Sequence, residues 1–161
     1  MNKKILKALN EQVVFELNAA YLYLGMSLAM ADNKMAGYSS WLRKQYEEET
    51  GHAMKFIQYL QDRDQSVALG DVKHTVVKEK TPLEIAKAVL KHEEGITAKI
   101  SALYGIALEE KDYATVEFLS YFVREQVEEE ATARDVVDQF TFAGDNKSSQ
   151  LLVDAKLGGR Q

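Results

Sequence analysis

The segment YEEETGHAMKF, residues 46–56, places Glu49 three positions before His52. On a helix that spacing stacks a carboxylate and an imidazole on one face, where both reach the same cation. Glu-x-x-His alone recurs on ordinary helices and carries little weight. Further acids give it weight: Glu16 in NEQVVFELNAAYLYL, Glu93 in LKHEEGITAKI, and Glu129, with Gln126 nearby, in FLSYFVREQVEEE. The chain has no cysteine. Thiolate zinc sites, iron–sulfur clusters and thiol nucleophiles are therefore excluded, and any metal must take oxygen and imidazole ligands.

Helices have to position these residues. The only proline is Pro82, and long stretches on either side keep a three-four spacing of apolar residues. The pattern predicts helices at about 3–31, 35–62, 82–110, 113–142 and 148–157. Thr81 is placed as N-cap with Pro82 at the first helical position and Glu84 to close a capping box. Asp112 caps the fourth helix and Gly144 stops it, and a Gly-Gly-Arg-Gln tail follows the fifth. The short turn at Asp32 and Asn33 forces the first two helices antiparallel. The segment RDQSVALGDVKHTVVKEK, roughly eighteen residues, is long for a connection in a compact domain and suits a crossover spanning about 63–81. The expected fold is all-α, a single domain over 1–161: a four-helix bundle of up-down-down-up type, two antiparallel hairpins joined by a long crossover, plus a short C-terminal fifth helix.

Written in heptad register, each helix puts an acid on its inward stripe: Glu16, Glu49 with His52, Glu93, and Glu129 with Gln126 one turn away. Glu16 stands about seventeen residues before the first turn and Glu49 about sixteen after it, roughly 25 Å along the bundle. Glu93 and Glu129 lie about eighteen residues to either side of a second turn near Lys111. An unpaired buried carboxylate costs several kcal/mol, and acids at one level also repel one another. No lysine or arginine falls on these stripes, so protonation or a multivalent cation must relieve them. A dinuclear metal site in which Glu49 bridges and His52 shares an ion with it is the economical solution.

The formal net charge of -5, with acids and bases interspersed, argues against nucleic-acid binding and favours cations as partners. The N-terminus lacks the apolar segment of a signal peptide, and no uninterrupted run approaches membrane-spanning length, which points to a soluble cytoplasmic protein. His74 in the crossover and His92 just off the third stripe read as surface histidines, Tyr23 as a core tyrosine, and Met26, Met30 and Met35 as packing residues.

The four ordered segments quoted above, over nearly the whole chain, resemble bacterial non-haem ferritins. The resemblance implies a ferroxidase that oxidises Fe2+ with dioxygen or peroxide and stores ferric mineral inside a cage of 24 subunits. It places one iron on Glu16, Glu49 and His52 and a second on Glu49, Glu93 and Glu129, with Gln126 beside it. Tyr23 becomes the tyrosine that hydrogen-bonds near the site, and Glu48, Glu125, Glu128 and Glu129 match a third iron site. Glu129 and Thr50 stand where the haem-containing relatives carry a histidine and a haem-ligating methionine, so no haem is expected. Tyr121 replaces a tryptophan common in the family, and residues 148–157 resemble the short helix packed at fourfold axes. On the residues alone two other readings stay open. One is a di-iron or di-manganese bundle that oxidises an organic substrate; the other is a structural bundle whose buried acids are neutralised by protons.

Overall fold

The computed structural model describes residues 1–73 and 76–159, so the reading of His74 falls outside the described residues. Five helices follow in order: α1 (Lys3–Asp32), α2 (Ala36–Asp62), α3 (Pro82–Glu109), α4 (Tyr113–Ala143) and α5 (Lys147–Gly158), and the described residues contain no strand. Their ends follow from local chemistry. Thr81 and Glu84 form the reciprocal capping box before α3, and Asp112 accepts from Thr115 N at 3.2 Å before α4. Three ends close without glycine: Lys34, Asp64 and Lys111 take φ of 64°, 54° and 55°. At the first of them Met35 N reaches Met30 O (2.9 Å) and Lys34 N reaches Ala31 O (3.0 Å), the paired bonds of a Schellman motif. Gly144, at φ 51° and ψ -140°, ends α4 in a conformation that favours glycine.

The start of α2 is capped from outside. Met35, its N-cap residue, offers no side-chain bond, and Asp154 of α5 instead accepts from Tyr38 N at 2.7 Å. That contact needs two glycines: a Cβ on Gly37 would lie 1.9 Å from Asp154 O, and one on Gly158 would lie 2.8 Å from Gly37 Cα. Gly158 therefore belongs to α5 and not to the tail expected after it.

The crossover lies along α1. Asn10 Oδ1 accepts from Ala68 N and Asn18 Oδ1 from Lys73 N, both at 2.6 Å, and Val77 packs beside Gly25. Moving along the crossover thus moves up α1, which delivers α3 to the far end of the bundle and fixes the up-down-down-up order. At the other end Arg63, just past α2, holds Asp112 at 3.0 and 3.2 Å and ties the two hairpins together. No uninterrupted apolar run in α1 reaches membrane-spanning length, yet by length and composition the helix has an 18-residue window of mean hydropathy 1.4, as a packed core helix can. Apolar residues are spread around α1 because it packs on α2, α3 and the crossover, while Gln12 and Glu16 are buried in the same helix.

Two apolar clusters fill the bundle. One gathers Tyr23, Met26, Met30, Tyr38, Trp41 and Phe140, and the other Ile5, Leu9, Phe56, Leu60, Ile100 and Phe122. Between them, at mid-height, lies a belt of buried polar residues: Gln12, Glu16, Gln45, Glu49, His52, Glu93 and Gln126. The stripe that places apolar residues in the two clusters delivers these polar ones to the level between them.

Candidate metal centre

Glu16 from α1 and Glu49 and His52 from α2 each offer a ligand atom within 4.8 Å of the others. All three are buried, Glu16 completely. Glu49 and His52 meet because they lie one turn apart on α2, with His52 Nδ1 3.4 Å from Glu49 Oε2. Glu16 crosses from the antiparallel neighbour and is steadied by Gln12, whose amide donates to Glu16 Oε1 at 2.8 Å. Glu16 Oε2 and Glu49 Oε2 are shut off from solvent and have no hydrogen-bond partner. Two buried oxygens of this kind, beside an imidazole, are the donor set that a hard or borderline divalent cation completes.

The electrostatics say the same. Burial and then the Glu49 charge push the Glu16 carboxyl well above the usual carboxylate range, with Gln12 and His52 pulling it back in part. Burial raises Glu49 to about 8; Glu93, Glu129 and Glu48 add to the rise, and a hydrogen bond with Glu16 opposes it. Without metal, burial and mutual repulsion favour the protonated form of both carboxyls, and a cation that binds here must displace the protons they hold.

The second hairpin supplies a different set. Glu93 of α3 is buried and accepts at Oε1 from the Tyr23 hydroxyl and at Oε2 from the Gln126 amide, the latter at 3.1 Å. Burial raises Glu93, while Tyr23, Gln126 and His52 act downward. Tyr23 is itself raised well above its ordinary value by burial and by the Glu93 charge, so it remains a hydrogen-bond donor. Gln126 also reaches Thr97 Oγ1 at 3.3 Å, and Thr97 donates to Glu130 at 2.7 Å. Glu129 departs from the stripe reading: it is half-buried and accepts from Gln45 at 3.3 Å. Its carboxylate extends toward α2, one turn before Glu49, instead of joining the tight cluster.

The outlying acids are open to solvent. Glu48 and Glu128 are exposed and Glu125 is half-buried, so of the acidic runs only Glu49 is fully enclosed. Tyr121 is half-buried, its hydroxyl accepting from Lys55 Nζ at 2.6 Å, and its ring meets Phe122 edge-on. Phe122 in turn meets His52 at 5.4 Å. Sequence reasoning gave no role to Gln12 or Thr97, although Gln12 lies one turn before Glu16, a visible signal. The reading of His92 as a surface histidine needs correcting. Its ring is half-buried, stacked on Phe15 and edge-on to Tyr23, and burial lowers it to about 4. It stands just off the stripe, and the crossover along α1 helps close over that flank.

The molecule is thus an all-α bundle with a carboxylate–histidine cluster at mid-height. The chain belongs to the ferritin-like family, whose Ferritin-like domain model matches residues 6–143. It is 38% identical to the bacterial non-heme ferritin of Bacteroides fragilis over 160 residues, covering 99% of each chain. The bacterial non-heme ferritin of Campylobacter jejuni is 38% identical over 154 residues, covering 96% of this chain and 92% of that one. Among solved structures, an open pore ferritin from the hyperthermophilic archaeon Archaeoglobus fulgidus matches with a TM-score of 0.98 at 38% identity. The match covers 100% of this chain and 99% of that one. A closed form of the same archaeal ferritin, engineered by site-directed mutagenesis, matches with a TM-score of 0.97 at 37% identity, covering 100% and 98%.

Proposed function

We propose that this chain is a cytoplasmic iron-storage subunit that oxidises Fe2+ at a dinuclear centre in its bundle and deposits ferric mineral inside a 24-subunit cage. The observation that carries the reading is the buried cluster of Glu16, Glu49 and His52 with its two partnerless oxygens. The first Fe2+ takes Glu16, Glu49 and His52, and the second takes Glu49, Glu93 and Glu129 with Gln126 beside it. Glu49 bridges the two, because its charge couples to Glu16, Glu93 and Glu129 together. Tyr23 holds Glu93 in place through its hydroxyl.

Iron is the substrate. Each Fe2+ gives one electron; dioxygen takes the pair with two protons to become peroxide, or peroxide takes it with two protons to become two waters. Hard anionic oxygens favour the ferric product, which lowers the cost of losing the electron. Glu129 gives the product a way out, since it is half-buried and continues into Glu125 and Glu128. Those residues with Glu48 form a third, more open iron position. No haem is expected, because Thr50 stands where the haem-containing relatives carry the ligating methionine.

An anaerobic Fe2+ titration followed by exposure to air tests this. Saturation at two or three irons per chain, then oxidation and growth of a soluble ferric core in a particle of cage size, is the expected result. Protein that takes up no iron, with a melting temperature indifferent to Fe2+, would return the bundle to a purely structural role.

A further inference from the structure

On α3, Glu93 and Thr97 stand one turn apart, and on α4 Gln126 and Glu130 do the same. Across the seam between the two helices these side chains join into one line of hydrogen bonds. Gln126 Nε2 donates to Glu93 Oε2 at 3.1 Å and reaches Glu93 O and Thr97 Oγ1, each at 3.3 Å. Thr97 donates to Glu130 Oε1 at 2.7 Å, and Glu130 Oε2 accepts from Arg134 Nη1 at 2.9 Å. Glu93 and Gln126 are buried, Thr97 and Glu130 are half-buried and Arg134 is exposed, so the line leads from the polar belt out to solvent.

The chemistry of each group sets the direction of the line. A carboxylate paired with a guanidinium only accepts, and a hydroxyl has a single hydrogen to give. Thr97 spends that hydrogen on Glu130, which leaves its oxygen to accept from inside the bundle. Glu93 offers acceptors on the other side of the same amide, so Gln126 is held between two groups that both call for its N–H end. The bond from Thr97 to the ionised Glu130 is the short, charge-assisted one, which makes Thr97 the fixed end.

We propose that Thr97, tied to Glu130, is a positioning residue that pins the Gln126 amide on Glu93, so that the second Fe2+ draws on Glu93 against this pin and is held loosely. The proposal rests on the ferroxidase reading above. Glu93 already gives one oxygen to Tyr23 and the other to Gln126. An ion that pulls the carboxylate inward stretches the bond to Gln126, because Thr97 keeps the amide from following. Without the hydroxyl of Thr97 the amide moves with Glu93, and the ion no longer works against that bond. Thr97 acts only through Gln126, since it bonds to Gln126 and Glu130 and to none of the proposed iron ligands.

The test compares Thr97→Val, which keeps the shape and removes the hydroxyl, with Thr97→Ser, which keeps the hydroxyl. Anaerobic calorimetry with Fe2+ reads the two binding constants of each protein. Thr97→Val binds the second Fe2+ about fivefold more tightly than wild type, the scale of one neutral hydrogen bond, and the first Fe2+ unchanged. Thr97→Ser restores both wild-type constants. Placed in Gln126→Leu protein, Thr97→Val has no further effect, because the residue through which it acts is gone. A Thr97→Val protein with the wild-type second constant overturns the proposal, as does Thr97→Ser behaving like Thr97→Val, or an undiminished effect in the Gln126→Leu background. Wild-type protein that binds no Fe2+ overturns the ferroxidase reading and this proposal together, a result distinct from wild type and Thr97→Val binding two ions alike.

Discussion

The two hairpins meet the polar belt in different states. The first hairpin brings Glu16, Glu49 and His52 within ligand distance of one another and leaves two carboxylate oxygens without partners. The second hairpin is almost fully bonded: Glu93 takes Tyr23 and Gln126, Glu130 takes Thr97 and Arg134, and Glu129 takes Gln45. A cation at the first half meets two oxygens, Glu16 Oε2 and Glu49 Oε2, that make no hydrogen bond. At the second half it competes with hydrogen bonds already made and with solvent at Glu129. The first half should therefore set affinity and the second should set how readily iron moves on. Each prediction below breaks or sharpens that contrast.

The largest effect belongs to the shared ligand. Glu49→Gln removes the charge to which Glu16, Glu93 and Glu129 are all coupled, yet keeps the shape of the side chain. Stopped-flow oxidation of Fe2+ should slow by about a hundredfold or more, beyond the usual loss from an outer-sphere change. The same variant should fold, and metal-free it should melt higher than wild type at pH 8, because a buried acid that resists ionisation has been replaced by a neutral amide. A variant that oxidises iron at the wild-type rate would break the contrast at its centre.

Stability against pH comes next. Glu49 holds its proton to about 8 in the folded chain, whereas the unfolded carboxyl releases it near the ordinary value of 4.5. Between those limits the native state binds more protons, so stability falls as pH rises, by about 1.4 kcal/mol per pH unit for each such carboxyl. Glu16 and Glu93 are raised as well and act in the same sense. Metal-free protein should lose melting temperature steadily from pH 5 to 8. A saturating redox-inert divalent cation should flatten that slope, since it replaces the protons. A metal-free melting temperature that rises over this range would show that the first hairpin's carboxyls are ionised without help.

Gln12 tests the first half alone. Gln12→Leu removes the amide that donates to Glu16 Oε1 and lowers Glu16. Calorimetry under anaerobic conditions should show the first Fe2+ bound about tenfold more weakly near pH 7, the usual scale for losing a residue that orients a ligand. The loss should shrink as pH rises and Glu16 ionises unaided.

Much of this arrangement was legible in the sequence, for definite reasons. Helix ends that use side-chain chemistry, Thr81 with Glu84 and Asp112, fell where the residues said they would. The start of α2 fell within a residue of the expected one, but its cap arrives from Asp154, 116 positions away, which no local signal shows. Inward stripes follow from the helical period, which is why Glu16, Glu49, His52 and Glu93 could be picked out as buried acids and histidine. Periodicity cannot say how far a side chain leans, and Glu129, half-buried, leans toward Gln45 of α2. His92 was misjudged because its cover comes from the crossover, a segment with no period to read.

The smallest effect is expected where the bonding is densest. Gln126 donates to Glu93 Oε2 at 3.1 Å and reaches Thr97 Oγ1 at 3.3 Å, so Gln126→Leu removes both links at once. Glu93 keeps the Tyr23 hydroxyl, and Thr97 keeps Glu130, so no charged group is stranded. The substitution should slow iron oxidation by only about threefold, the scale of one neutral hydrogen bond, and should leave binding of the first Fe2+ untouched. Loss of Gln126 should also free Glu93 to turn toward the metal, so the second Fe2+ should bind at least as well as in wild type. If instead Gln126→Leu weakens the first Fe2+ as much as Gln12→Leu does, the two hairpins act as one cooperative site, and the division between an affinity half and a release half is wrong.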